Sequence, residues 1–335
     1  MPRIANNPKI SSLRIFVPEA IINSYRNNKY YYPIINKRKL INEILGLKPD
    51  VVFCPTLQFT YKWPIPFVIM IRNMEPLVYD NKFNPIKEKI KNYGRKILSK
   101  NACLQSDGII AVSNHVKDYI INNFNVEKDK VAKIYHGIDK SSVAFTPDSL
   151  SGNKIFTAGS IRPARGLEDL ILAFSLIKNK YPRLRLLIAG KVEPGMFHYK
   201  HNLEKLIENK NLTKRIIWLD NIEKDEMIKL FKSSKVFIMT SRAEACPNIA
   251  LEAMKYGNYI ISTDNQPMPE FFGKGATYYC AKNHYDLATK LEKTISLNKS
   301  DLLKYKRIYK NNLNRFSWDR SANKTVSFLE QVIKR

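Results

Sequence analysis

Apolar residues fall along most of the chain in short runs separated by stretches with helical spacing, the pattern of buried parallel strands alternating with helices. In a first block, Leu13 to Val17, Val51 to Cys54, Phe67 to Ile71 and Gly108 to Val112 predict strands bounded by Pro, Asp or Ser. Ser113 and Asn114 then cap a helix whose apolar positions Val116, Tyr119 and Ile120 share one face, and Val131 to Tyr135 closes the block at His136-Gly137. Thr146 to Asn153 lacks periodicity and carries Pro147, Asp148, Ser149 and Gly152, so the linker is expected there. A second block restarts with Lys154 to Ala158 as a strand and Leu167 to Asn179 as an amphipathic helix. It continues with strands at Leu184 to Ala189, Ile216 to Leu219, Val236 to Met239 and Tyr259 to Ser262. The tail from Asp319 to Ile333 predicts a further amphipathic helix after Trp318. The expectation is an α/β chain with an N-terminal domain over 1–147, a C-terminal domain over 148–318, and a closing helix over 319–335 that packs back on the first domain.

Composition narrows the function classes. The apolar run from Ile65 to Ile71 is far below the roughly 18 to 20 residues that cross a bilayer, and no apolar segment follows Arg3 as in a secretory signal, so a cytoplasmic protein is expected. Cys54, Cys103, Cys246 and Cys280 form no C-x-x-C pair and have no histidine at ligand spacing, which favours free thiols over zinc or a disulfide framework. Fifty-six Lys+Arg against 30 Asp+Glu give a net charge of +26, which attracts anionic partners over long range. The charge is spread from Lys9 to Lys334 with no nucleic-acid module, so nucleic acid is not expected as a partner. Diffuse charge suits an anionic membrane surface, with peripheral attachment, or reflects a compositional bias that also enriches Asn, Ile and Tyr.

Two loops carry candidate chemistry. The segment from Glu244 to Gly257 follows the strand Val236 to Met239; Pro247 and Asn248 open a helix that Gly257 closes, and the free N–H groups of the first turn favour phosphate. Glu244 and Glu252 bracket that helix start. Near a diphosphate they make sense as acceptors for ribose or sugar hydroxyls, and otherwise they are a loop charge and a helix charge. The second loop, Gly159 to Gly166, sets Arg162 and Arg165 after a strand end, where guanidinium groups can stabilise a departing diphosphate without a metal. It matches neither the P-loop nor the G-x-G-x-x-G pattern.

The loop Gly159 to Gly166, the strand-turn Leu186 to Gly190, the pair Glu244 and Glu252, and Gly257 stand in the order of the retaining glycosyltransferases of family 4, which the chain resembles over roughly residues 48 to 330. Ser106 to Asn114, Val131 to Asp139 and Phe316 to Trp318 are similar to further segments of that family. The resemblance implies the GT-B fold, two Rossmann-like domains facing across a cleft, the N-terminal one here shortened by its first β-α unit. It implies Arg162 and Arg165 at the donor diphosphate, Glu244 near the transferred sugar, Glu252 on the ribose, and Gly159, Asn248 and Ile249 at the phosphate and sugar. It also implies no metal and no cofactor beyond the substrate, an NDP-sugar of UDP or GDP type. The chain departs from the family pattern in having no Gly-Gly, and in carrying Arg72-Asn73 where many members have a histidine. Arg72 and Asn73 can orient a sugar or phosphate, but an arginine does not act as a general base. The expected function is transfer of a sugar to a glycan or lipid-linked acceptor in cell-envelope or polysaccharide biosynthesis. The alternative is a non-catalytic subunit of the same fold that binds nucleotide or a protein partner without turnover.

Overall fold

A computed structural model describes residues 2–18, 30–34, 36–56, 61–78, 84–139 and 153–335. The expected linker Thr146 to Asn153 lies outside these described residues except for Asn153. Twelve strands among them form three parallel sheets. Among the described residues β1 (Ile15–Pro18) pairs only with β2 (Tyr31–Ile34). β3 (Val52–Cys54), β4 (Phe67–Ile71), β5 (Gly108–Ala111) and β6 (Val131–Lys133) form a four-stranded sheet in chain order. The third sheet holds β7 (Lys154–Ala158), β8 (Arg185–Ala189), β9 (Ile216–Asp220), β10 (Val236–Met239), β11 (Tyr259–Thr263) and β12 (Ala276–Tyr279). Its order is β12-β11-β10-β7-β8-β9, so the chain leaves β7 towards one edge and returns from β10 towards the other. In such doubly wound sheets ligands bind beyond the strand ends where the order reverses, here at β7 and β10.

The central strands β4, β10 and β11 are buried at every position, because helices cover both faces of the two larger parallel sheets. Helix Leu167–Ile177 presents Leu170, Ile171, Phe174 and Ile177 to β7 and β8 at the i, i+3, i+4 spacing of a core-facing stripe. The predicted cap at Ser113 is present: its side chain accepts the Val116 N–H at 3.2 Å at the start of helix Asn114–Phe124. Helix Trp318–Ile333 joins the core of the four-stranded sheet through Phe328, Leu329 and Val332. A Cβ on Gly108 would stand 2.8 Å from Val332, so glycine at the start of β5 is what lets this helix lie so close. No helix among the described residues is long and apolar enough to cross a membrane.

Two strands escape the sequence pattern. β2 reads Tyr-Tyr-Pro-Ile, and its proline counts against a strand. β12 reads Ala-Thr-Tyr-Tyr, whose first three residues are only half-buried at the sheet edge. With β2 paired to β1, the region before residue 50 holds two described strands and helix Lys37–Gly46, more regular structure than the single strand expected there.

Candidate functional site

At the ends of β7 and β8 the backbone comes too close for side chains. Gly159 donates its N–H to Ala189 O at 2.9 Å, and Gly190 donates to Asp220 O at 2.6 Å. A Cβ on Gly190 would meet Gly159 O at 1.8 Å, and both glycines have positive φ (+149° and +142°). This bare floor underlies a cavity of about 390 Å³, whose walls include Ser160, Arg165, Lys191, Glu244, Asn248 and Ile249. It opens beyond β7, β8 and β10, at the reversal of strand order.

Arg165 and Glu244 dominate one wall. The guanidinium donates to Ser241 Oγ at 3.0 Å and pairs with the Glu244 carboxylate, both side chains being largely buried. Thr240 donates its hydroxyl to Arg165 O at 2.6 Å and so ties the arginine loop to the end of β10. Gly166, with φ +60°, lets the chain turn into helix Leu167–Ile177 beneath Thr240; a Cβ there would lie 2.6 Å from Thr240 O. Arg242 completes the scaffold by pairing with Glu168 at 2.7 Å and Asp169 at 3.0 Å. Burial holds the Asp169 carboxyl above its ordinary range despite Arg242.

The start of helix Asn248–Lys255 forms another part of the wall. Asn248 donates its N–H to Cys246 O, and Ala250 and Leu251 donate theirs to Pro247 O. Among the described residues no acceptor takes the Ile249 N–H, and Ile249 lines the cavity. At the other end Gly257 and Asn258 donate to Met254 O and Ala253 O, both at 3.1 Å, the glycine-closed stop expected from sequence. Glu252 is exposed and does not line the cavity. It stands four residues after Asn248, one turn along the same helix face.

Arg162 does not line this cavity. It reaches across to the four-stranded sheet's side and pairs with Glu75 at 2.7 Å, with the side chains 25% and 9% exposed. Burial raises the Glu75 carboxyl above its ordinary range, outweighing the pull of Arg162 and Arg165. Asn73 accepts the Glu75 N–H at 3.0 Å and so shapes the turn after β4; both Arg72 and Asn73 are exposed. Arg72 also acts on His136, whose imidazole is lowered to about 4 first by burial and then by this positive neighbour. The His136 ring stacks on Trp318 with centroids 5.7 Å apart, and its Nδ1 lies 3.4 Å from Asn248 Nδ2. His136, Glu75, Ser160 and Lys191 carried no chemistry in the sequence reading. Lys191 directly after the Gly190 turn was the available signal, since the residue after such a turn faces the ligand crevice.

A second junction joins the two larger sheets. The Glu270 carboxylate accepts the N–H groups of Asn114 (2.8 and 3.0 Å) and His115 (3.3 Å), and the Tyr135 hydroxyl at 2.6 Å. A carboxylate thus caps the start of helix Asn114–Phe124 from the far side of the junction, with the favourable sign for the helix dipole. Arg315 donates to Tyr135 Oη and Glu270 O and closes the cluster.

The arrangement has recognisable relatives. Residues 145–315 match the family described as Glycosyl transferases group 1, and residues 6–142 match Glycosyltransferase Family 4. A glycosyltransferase of Methanocaldococcus jannaschii, itself uncharacterised, is 28% identical over 272 residues, covering 74% of this chain and 64% of that protein. The O-antigen chain mannosyltransferase of Salmonella typhimurium is 21% identical over 210 residues, covering 63% of this chain and 55% of that protein. The matched stretches thus span less than two thirds of these relatives' lengths. Among solved structures, Anabaena HepE in complex with UDP and glucose superposes with a TM-score of 0.77 at 15% identity, covering 94% of this chain and 90% of that one. A glycosyltransferase from Rickettsia africae superposes at 0.73 with 18% identity, covering 95% and 89%.

Proposed function

Because the chain belongs to the Glycosyl transferases group 1 family and has the GT-B fold, we propose that it is a retaining glycosyltransferase using a UDP- or GDP-sugar. The observation that carries this reading is the cavity at the strand-order reversal, with a glycine floor, walled by a helix N-terminus and by Arg165 paired with Glu244. The UDP complexes of HepE and the mannosyltransferase relative from Salmonella support a nucleotide-sugar donor.

In this reading the diphosphate sits over Gly159 and Gly190, which allow close approach. The Ile249 N–H, Arg165 and Lys191 neutralise it. Glu252 accepts a ribose hydroxyl and Glu244 a hydroxyl of the transferred sugar. When the bond between the anomeric carbon and the phosphate oxygen breaks, its electron pair leaves with the nucleoside diphosphate, where Arg165 meets the growing charge. The acceptor oxygen bonds to the anomeric carbon on the same face, and its proton passes to the departing phosphate. Arg162 joins Glu75 to hold the two halves of the cleft at working distance, and Arg72 and Asn73 orient the acceptor. We propose no metal requirement, since guanidinium and backbone donors supply the charge. The acceptor is a glycan or lipid-linked sugar of an envelope or polysaccharide pathway, met at an anionic membrane surface.

The test is release of UDP or GDP from a panel of NDP-sugars, with and without a chelator and with glycan and lipid-linked acceptors. Release stimulated by an acceptor and indifferent to chelation is expected. Nucleotide binding without release from any donor would replace the enzyme by a non-catalytic binding subunit.

A further inference from the structure

Helix Ile86–Gln105 is turned the wrong way round for a water-facing helix. Its buried residues are Asn92, Ser99, Ala102 and Cys103, small or polar, whereas its largest apolar side chains point into solvent. Ile86, Ile90, Tyr93, Ile97 and Leu104 are 75%, 66%, 69%, 44% and 50% exposed. Their spacing of four, three, four and seven residues places all five on one stripe opposite the buried face. A run of 20 residues makes this stripe about 30 Å long, far more than the scattered exposed apolar residues of an ordinary surface.

The flanks decide what covers it. Lys89, Lys96 and Lys100 line one side of the stripe and Lys87 and Lys91 the other, all exposed. The helix has one acid, Glu88, on the face away from the stripe, tied to Arg95 at 2.8 Å and Lys91 at 3.7 Å. A second copy of this chain would bring the same lysines into opposition. A flat surface with an apolar interior and fixed negative charge at its boundary matches both features, with Tyr93 suited to the boundary itself.

We propose that helix Ile86–Gln105 is the membrane-docking element of this protein, lying along an anionic lipid surface with Ile86, Ile90, Tyr93, Ile97 and Leu104 inserted and the flanking lysines on lipid headgroups. This deepens the membrane-surface part of the proposed function and does not depend on the donor reaction. It accounts for an amphipathic stripe that the fold leaves unpaired, and it uses positive charge that the cavity does not need.

The experiment is co-sedimentation of the full chain with vesicles of phosphatidylcholine alone or with added phosphatidylglycerol, at low and high salt, with UDP binding measured on the same proteins. Wild type is expected on the anionic vesicles only and to be released by salt. Each lysine near such a surface is worth about a factor of five, so Lys89→Glu/Lys96→Glu/Lys100→Glu should weaken binding at least about a hundredfold. Ile90→Ser/Ile97→Ser should weaken it by a similar factor. Both variants change only exposed positions, and unchanged UDP binding would show that they remain folded. Vesicle binding that survives both sets, or no binding by wild type, overturns the proposal. So does a wild-type dimer that Ile90→Ser/Ile97→Ser converts to monomer. Loss of UDP binding by wild type would instead count against the donor site and leave the lipid result standing.

Discussion

Replacing Arg162 by alanine separates a clamp from a donor ligand. The substitution removes the partner 2.7 Å from Glu75, whose carboxylate is only 9% exposed. Breaking a buried ion pair from one side costs about 3 to 5 kcal/mol if the remaining charge stays ionised. Glu75 has an escape, because burial already holds it above the ordinary value of 4.5 and losing Arg162 raises it further. Once protonated it costs no more than taking up a proton at the working pH. At pH 7 that bound is about 3 kcal/mol, from 1.36 kcal/mol for each unit between the ordinary carboxyl and pH 7. A carboxyl raised on folding stabilises the fold fully below its unfolded value and loses that contribution as pH rises through the folded value. The penalty of Arg162→Ala should therefore be about 2 to 3 kcal/mol at pH 7 and under about 1 kcal/mol at pH 5. Urea unfolding at both pH values reads this difference, and Glu75→Gln in the Arg162→Ala background should recover most of the pH 7 loss. UDP affinity should change less than about threefold, because the Arg162 guanidinium is engaged by Glu75 at 2.7 Å and is not free for a diphosphate. Equal stability loss at both pH values, together with a tenfold loss of UDP affinity, would refute the clamp and return Arg162 to the diphosphate.

Four further substitutions test other parts of the structure. Gly190→Ala drives a Cβ to 1.8 Å from Gly159 O at a φ of +149°, so nucleotide binding should be abolished in a calorimeter. Gly94→Ala, with nothing within 4 Å, should leave binding intact and stability unchanged or up to about 1 kcal/mol higher. His136 is lowered from 6.5 to about 4, so the unfolded chain takes up its proton first as the pH falls. Its share of the stability, of order 2 to 3 kcal/mol, should be present above pH 6.5 and drain away towards pH 4, and His136→Gln should flatten a denaturation profile across that window. Glu270→Gln removes the charge from the cap on Asn114 and His115, and hydrogen exchange at those two amides should quicken by roughly tenfold for each 1.4 kcal/mol lost.

The strand–helix alternation of the six-stranded sheet was open to reading because its inner strands β7, β8, β10 and β11 are buried almost throughout and so appear as unbroken apolar runs. The glycine-flanked arginine loop and the paired glutamates were equally open, since each is a local pattern at a strand end. What sequence could not supply was which residues meet across the fold. Arg162 and Arg165 look equivalent in one loop, yet one turns to Glu75 and the other to Glu244. Nothing local marks Glu75 or Glu270 as partners of residues more than 85 and 150 positions away in the chain. Helix Ile86–Gln105 shows the same limit in another form: a period of 3.6 identifies an apolar stripe but not whether it faces the core, and here the core took Ser99 and Ala102 instead.

The central claim is that the cavity between the glycine floor and helix Asn248–Lys255 holds a nucleoside diphosphate. Isothermal titration of UDP and GDP into the wild-type chain, Arg165→Ala and Glu252→Ala measures it directly. One site on the wild type for at least one nucleotide, weakened at least about tenfold by Arg165→Ala and by Glu252→Ala, is the predicted result. No binding of either nucleotide, or affinities unmoved by both substitutions, would contradict it.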